Sequence, residues 1–416
     1  MDIIIGAGVS GLSYALFSNN DYLIIEQSDS IGGYCKTIYQ DGFVWDYSGH
    51  FFHFQDQEIK DLVYKNIRPE NVVNVVKNTK IHYKGQFIDF PFQKNIHQLP
   101  YDEFLECLVS LFDANQNGAD NGRTFKEMVY GRFGSGIAEK FLIPYNEKLY
   151  ACDLDLLDKS AMGRFFPKAD MADIIHNFRK GDNASYNATF AYSMNGAIDY
   201  VNSIASYINL DADHLHLNES VLRVDMESHT VYTDKGEYKF DRLVSTLPFN
   251  VLLDKCAVSV PVGTFTCNKV AVLNLGFDRK GTNTDTHWIY FPDKDLKFYR
   301  VGFYDNIMST DRMSLYVEIG YPIDANIEEE SALLDIVMED LRKAGIVTNE
   351  RLLSHSFVVM APAYVHINER STRCLSEKKS ELASHGVYST GRYGSWTYCS
   401  IEDNIKEARQ LASLLN

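Results

Sequence analysis

The hexapeptide Gly6-Ala7-Gly8-Val9-Ser10-Gly11 sets G-x-G-x-x-G between an apolar run, Ile3-Ile4-Ile5, and the helical pattern of Val9 to Phe17. An apolar run with no polar alternation suits a parallel strand buried on both faces. A second strand is predicted over Tyr22 to Glu26, and Glu26 closes it at the ~20-residue offset of a ribose-binding acid. The glycines allow a tight turn and a close approach of pyrophosphate to the N–H groups at the helix terminus, where the dipole favours negative charge. Strand, turn, helix, strand and acid together specify an α/β chain with a Rossmann-type dinucleotide unit at its start.

Pyrophosphate and ribose binding do not separate FAD from NAD. The stretch Glu26-Gln27-Ser28-Asp29-Ser30-Ile31-Gly32-Gly33 places paired glycines after the acid. It resembles the extended FAD motif of glutathione-reductase-type flavoproteins and amine oxidases, as do the Ser245-Thr246-Leu247-Pro248 turn and Thr390-Gly391-Arg392. FAD is the expected cofactor.

With 416 residues, the chain suits two interleaved domains better than one core. Helical spacing over Tyr101–Asp113 and Thr124–Leu142 points to a helical insert. Strands are expected at Val221–Val224, Val231–Thr233, Leu243–Thr246 and Val387–Gly391, with a strand-rich stretch over Lys269–Ile319. Helices are expected over Glu328–Ala344 and Ile401–Leu415, the run Glu328-Glu329-Glu330 forming an acidic first turn. The expected division is a discontinuous FAD-binding domain (1–75, 203–253 and 375–416), a mainly helical substrate domain (76–202) and a β-rich substrate domain (254–374).

A net charge of −16 argues against nucleic acid as a partner, because phosphate backbones are bound by basic surfaces. A small anionic ligand would instead need a local arginine cluster. The seven scattered cysteines form no CxxC pair, and no metal site is expected; His50 and His53, and His214 and His216, lack further ligands. No apolar run reaches the ~18–20 residues of a membrane span, and no leader is evident after Met1, so a cytoplasmic location is expected.

Further segments follow in order: Gly49-His50-Phe51-Phe52, Phe90-Pro91-Phe92-Gln93-Lys94-Asn95, Pro144-Tyr145-Asn146-Glu147-Lys148-Leu149-Tyr150, Asn187-Ala188-Thr189-Phe190, His287-Trp288-Ile289-Tyr290-Phe291-Pro292 with Phe298-Tyr299-Arg300, then Tyr364, and Gly391-Arg392-Tyr393-Gly394-Ser395-Trp396-Thr397-Tyr398. Taken together, this series resembles the UDP-galactopyranose mutase family, closer to its eukaryotic branch. The resemblance implies that N5 of reduced FAD attacks the anomeric carbon of a nucleotide-diphosphate sugar. The diphosphate leaves, the ring opens and recloses through another hydroxyl, and a pyranose becomes a furanose. It implies Arg164 and Arg300 on the diphosphate, His50 beside the flavin, and Phe90, Gln93, Tyr145, Asn146, Tyr150, Asn187, Tyr290, Tyr364 and Tyr398 around the substrate. The implied FAD contacts are Gly6, Gly8, Ser10, Gly11, Glu26, Gln27, Gly33, Val221 and Arg392. NAD(P)H or another reductant would keep the flavin reduced, and glycine stretches around Gly163 and Gly181 are candidate flaps. Oligomeric state is not legible.

Several positions depart from the pattern. Tyr150 stands where the bacterial motif has tryptophan and Phe90 where the eukaryotic one has tyrosine. Ile307 falls near an expected phosphate-binding tyrosine, with Tyr304 as a replacement, and Glu402 near an expected asparagine, with Asn404 close by. Two other classes fit the same FAD fold. One is an oxidase of the amine oxidase or protoporphyrinogen oxidase type; the other is a flavoprotein that binds nucleotide sugar without turnover.

Overall fold

The computed structural model describes residues 1–116, 122–166, 170–179 and 188–416. Ile3, Ile4 and Ile5 are all buried in the strand Asp2–Ile5, as their unbroken apolar run requires. Each contributes roughly 1.5–3 kcal/mol by leaving water. That strand sits at the centre of a five-stranded parallel sheet, ordered 387–389, 242–245, 2–5, 22–25 and 215–216. The helix Val9–Phe17 packs against Ile401–Leu415 and Ile198–Ala205 on one face. A Cβ on Gly11 would lie 2.0 Å from the Gly6 carbonyl oxygen, so glycine there lets the helix close onto the strand that precedes it.

A seven-stranded mixed sheet forms the second layer, ordered 352–360, 268–277, 314–322, 300–303, 288–290, 79–83 and 86–89. It therefore draws strands from both 76–202 and 254–374, and the stretch read as mainly helical also supplies two strands to it. Helices Tyr101–Gln116 and Phe125–Ile137 pack closely, and Gly134 and Gly136 face the Ser110 and Cys107 backbone. The second helix opens on a capping box between Thr124 and Glu127 and passes through a π-helical turn, Ala138–Leu142, into Ile143–Tyr150. This last helix lies against the strand Ser314–Pro322, which joins the helical layer to the large sheet.

The helix expected from Glu328 begins at Glu330. Glu328 is not part of its first turn: its carboxylate accepts from Lys297 Nζ at 2.6 Å and the Tyr321 hydroxyl at 2.5 Å, tying the strand Ser314–Pro322 to the loop before Arg300. His214 and His216 each face a carboxylate, Asp211 and Glu219, and among the described residues no cluster is arranged to hold a metal. No described helix is long and apolar enough to cross a membrane.

Candidate active site

A cavity of about 1300 Å³ runs from the glycine turn to the large sheet. It exceeds the ~300–1,000 Å³ of ordinary small-molecule sites, which leaves room for a dinucleotide and a second ligand. At one end lie Gly6, Gly8, Ser10, Glu26, Gln27, Gly33 and Val221. Gly11 is set back from this wall, inside the helix. Glu26 accepts from the Ala7 and Ser28 N–H groups, each at 2.8 Å, which orients its carboxylate at the mouth of the turn. The helix Val9–Phe17 has no side-chain cap at Gly8, so its first N–H groups face the cavity as an anion site would require. These residues fit FAD: a pyrophosphate on the helix terminus and a ribose on Glu26. Asn404 braces the turn, since its Oδ1 accepts from the Ser10 hydroxyl at 3.0 Å and the Arg392 N–H at 2.7 Å.

His50, Phe90, Gln93, Tyr145, Asn146, Tyr290, Arg164, Arg300, Tyr364, Arg392 and Tyr398 all line the same cavity. Arg300 and Tyr290 are register partners on adjacent strands. The Arg300 guanidinium donates to both Glu318 oxygens, from Nε at 2.6 Å and Nη2 at 2.7 Å. Glu318 in turn accepts from the Ser48 hydroxyl, two residues before His50. Burial alone would raise the Glu318 pKa, but Arg300 and these hydrogen bonds hold it below the ordinary carboxylate range. Arg164, on the turn Gly163–Phe165, is half exposed and meets Asp403 with Nη2 at 2.7 and 2.6 Å from the two oxygens.

The ring of Tyr145 packs edge-on to Tyr290 at 5.1 Å, and Phe90 lies 5.0 Å from Tyr290. Tyr364 and Tyr398 stack at 5.8 Å with the Arg392 guanidinium over both. Arg392 donates to the Cys399 carbonyl at 3.1 Å. Burial pushes the His50 imidazole down to about 4, so it is neutral at neutral pH, and its buried Nδ1 has no partner among the described residues.

Some expectations are corrected. Tyr150 does not line the cavity: it is buried behind the wall, against Phe125 and Tyr364. Tyr304 does not replace the missing tyrosine at Ile307, because its hydroxyl is directed to the backbone of Asp46 and Ser48. Tyr316 borders the cavity from behind its wall, fully buried beside Arg300. A Cβ at Gly302 would fall 1.9 Å from the Tyr316 ring and one at Gly49 would fall 2.6 Å from its hydroxyl, so these two glycines make the space it occupies. Its hydroxyl is buried and without a partner among the described residues. Glu402 caps the chain at Gln55 and Asp56, accepting from their N–H groups at 2.5 and 3.1 Å. Asn187 and Gly181 lie outside the described residues.

Sequence reading missed Glu318 and Tyr316. The signal for Glu318 was a lone carboxylate within the apolar run Leu315-Tyr316-Val317-Glu318-Ile319, since a buried charge needs a partner. Tyr316 carried no such mark.

The family model for flavin containing amine oxidoreductases matches residues 10–416. A curated relative, chloroplastic protoporphyrinogen oxidase 1 of Spinacia oleracea, is 22% identical over 178 residues, 39% of this chain. The matched stretch spans only 31% of that relative's length. Among solved structures, a reduced UDP-galactopyranose mutase superposes with a TM-score of 0.91 at 21% identity, covering 100% of this chain and 93% of the other. A putative protoporphyrinogen oxidase from Exiguobacterium sp. 255-15 gives 0.77 at 16%, covering 100% and 98%. Cyclohexylamine oxidase from Brevibacterium oxydans IH-35A gives 0.69 at 14%, again covering 100% and 98%. These likenesses establish the fold.

Proposed function

The chain belongs to the flavin containing amine oxidoreductase family, with FAD as its cofactor, and we propose that it acts within that fold as a nucleotide-sugar mutase. Its leading reaction is the interconversion of UDP-galactopyranose and UDP-galactofuranose. The observation that carries this reading is the charge of the cavity. Six cationic side chains (Lys36, Lys94, Arg164, Lys255, Arg300 and Arg392) line it against four carboxylates (Glu26, Glu219, Glu318 and Glu402), in a protein of net charge −16. All four carboxylates have partners: Glu26 and Glu402 accept from backbone N–H groups, Glu219 meets Thr233 and His216, and Glu318 pairs with Arg300, while Arg164 pairs with Asp403.

Such a cavity attracts an anion and repels an ammonium, which disfavours an amine as substrate. Arg300 and Arg164 would grip the diphosphate and neutralise it as it leaves, a task suited to forked guanidinium donors. The hydroxyls of Tyr290, Tyr364 and Tyr398 would donate to the same oxygens. Phe90, Gln93, Tyr145 and Asn146 would hold the nucleobase, with neutral His50 beside the flavin. Reduced FAD, when bound, supplies a nucleophilic nitrogen, N5, for the anomeric carbon. NAD(P)H or another reductant is the proposed source of its electrons.

A panel of nucleotide sugars presented anaerobically to the reduced protein tests this reading. Ring-isomerised UDP-galactose among the products supports it; inertness toward every nucleotide sugar, with oxidation of an amine or porphyrinogen, overturns it.

A further inference from the structure

The ammonium of Lys148 is enclosed by the backbone. Its Nζ donates to the carbonyl oxygens of Phe291 at 3.0 Å, Asp293 at 2.6 Å and Leu296 at 2.8 Å, and also to that of Phe298. All four belong to the loop that leaves the strand Trp288–Tyr290 and enters Arg300–Phe303. Lys148 itself lies on the helix Ile143–Tyr150, which carries Tyr145 and Asn146. One cation thus fastens the connection between Tyr290 and Arg300 to the helix bearing two further cavity residues. A second tie, Lys294 to Glu147 at 2.7 Å, runs between exposed side chains and adds little.

Four converging carbonyls around one charge amount to a monovalent-cation site, the kind of oxygen cage that replaces the hydration shell of potassium in channels. An ammonium has three N–H donors, so the fourth carbonyl is served by shared hydrogen bonding and by charge. The loop is also closed at its base by Phe291 N–H to the Tyr299 carbonyl and tied outward through Lys297 to Asp340 and Glu328, but without the cation the four oxygens would be left facing one another.

We propose that Lys148 is a positioning residue: a tethered cation that fills a carbonyl cage and sets the placement of Tyr290 and Arg300 relative to Tyr145. Its consequence for nucleotide binding rests on the function proposed above; its hold on the loop does not.

The test compares FAD-loaded wild-type protein with Lys148→Ala, reading UDP affinity, flavin content and amide exchange over residues 291–298, with and without ammonium, methylammonium or potassium chloride. In Lys148→Ala the loop should exchange faster, UDP affinity should fall about tenfold or more with flavin content unchanged, and the small cations should reverse both effects. Lys148→Met, whose thioether fills the space without charge, should show the defect and no rescue. Should Lys148→Ala not fold, Lys148→Arg serves, because a planar guanidinium cannot satisfy a cage built around an ammonium; it should exchange faster at 291–298. Wild-type exchange in the variants, or a defect equally insensitive to every cation, overturns the proposal. A wild-type protein that binds no UDP defeats the proposed function and leaves the loop measurement to decide this inference.

Discussion

Arg300 and Glu318 face each other across neighbouring strands, joined by two nearly parallel hydrogen bonds of 2.6 and 2.7 Å on the cavity wall. Fork-to-fork pairing fixes the guanidinium plane, and Ser48 extends the contact to the segment that bears His50. The carboxylate thereby links Arg300, the proposed diphosphate arginine, to the segment bearing His50.

Glu318→Gln should break this pair while leaving a buried guanidinium, a change that costs about 3–5 kcal/mol when one partner of a buried pair is removed. Denaturant unfolding should show that loss, and UDP affinity should fall with it. Because Glu318 is held below the ordinary carboxylate range, its stabilisation is complete above pH ~4.5 and disappears as pH falls through its folded pKa. The variant should lose that part of the acid limb.

His50 behaves differently. Burial lowers its pKa to about 4 from 6.5, so the folded state resists protonation, and stability present above pH 6.5 is lost as the pH falls toward 4. His50→Gln should remove up to roughly 3 kcal/mol of the stability change across that interval. His53 and His287 are lowered to about 4 by burial as well, so a residual slope should persist. Urea titrations at half-unit pH steps measure both.

The first strand, the glycine turn and Glu26 were legible in the sequence because they are local: each is read within a few residues of its neighbours. Phe90, Tyr290, Tyr364 and Tyr398 were reached through ordered motifs, and the cavity gathers them. What could not be read depends on register between distant strands. Glu318 opposes Arg300 only because two strands align across intervening helix and loop. Tyr150 and Tyr316 look alike in the sequence and both are buried, yet one packs against Tyr364 and the other beside Arg300, in space left by Gly49 and Gly302. The carbonyl cage around Lys148 is equally invisible, since backbone oxygens leave no trace in composition.

Arg164 offers a contrast with Arg300. Its pair with Asp403 is half exposed, and such pairs contribute at most ~1 kcal/mol to stability. Arg164→Ala should shift Tm by no more than about 2 °C while raising KM for the nucleotide sugar at least tenfold. An unchanged KM would remove Arg164 from the diphosphate site.

Tyr316→Phe deletes a buried hydroxyl that has no hydrogen-bond partner among the described residues. Removing an unsatisfied polar group should leave stability unchanged or raise it by about 1 kcal/mol. Turnover should stay near the wild-type value, because that hydroxyl has no surface open to the cavity. Calorimetry and steady-state kinetics on the same preparation measure both.

The most direct test holds the protein constant and changes only the oxidation state of its flavin. UDP-galactofuranose is incubated anaerobically with oxidised and with dithionite-reduced protein, and products and flavin spectrum are followed together. The expected result is UDP-galactopyranose from the reduced protein alone, with no oxidised sugar and the flavin still reduced at the end. Equal conversion by the oxidised form, or consumption of one flavin reducing equivalent per turnover, would contradict a mutase.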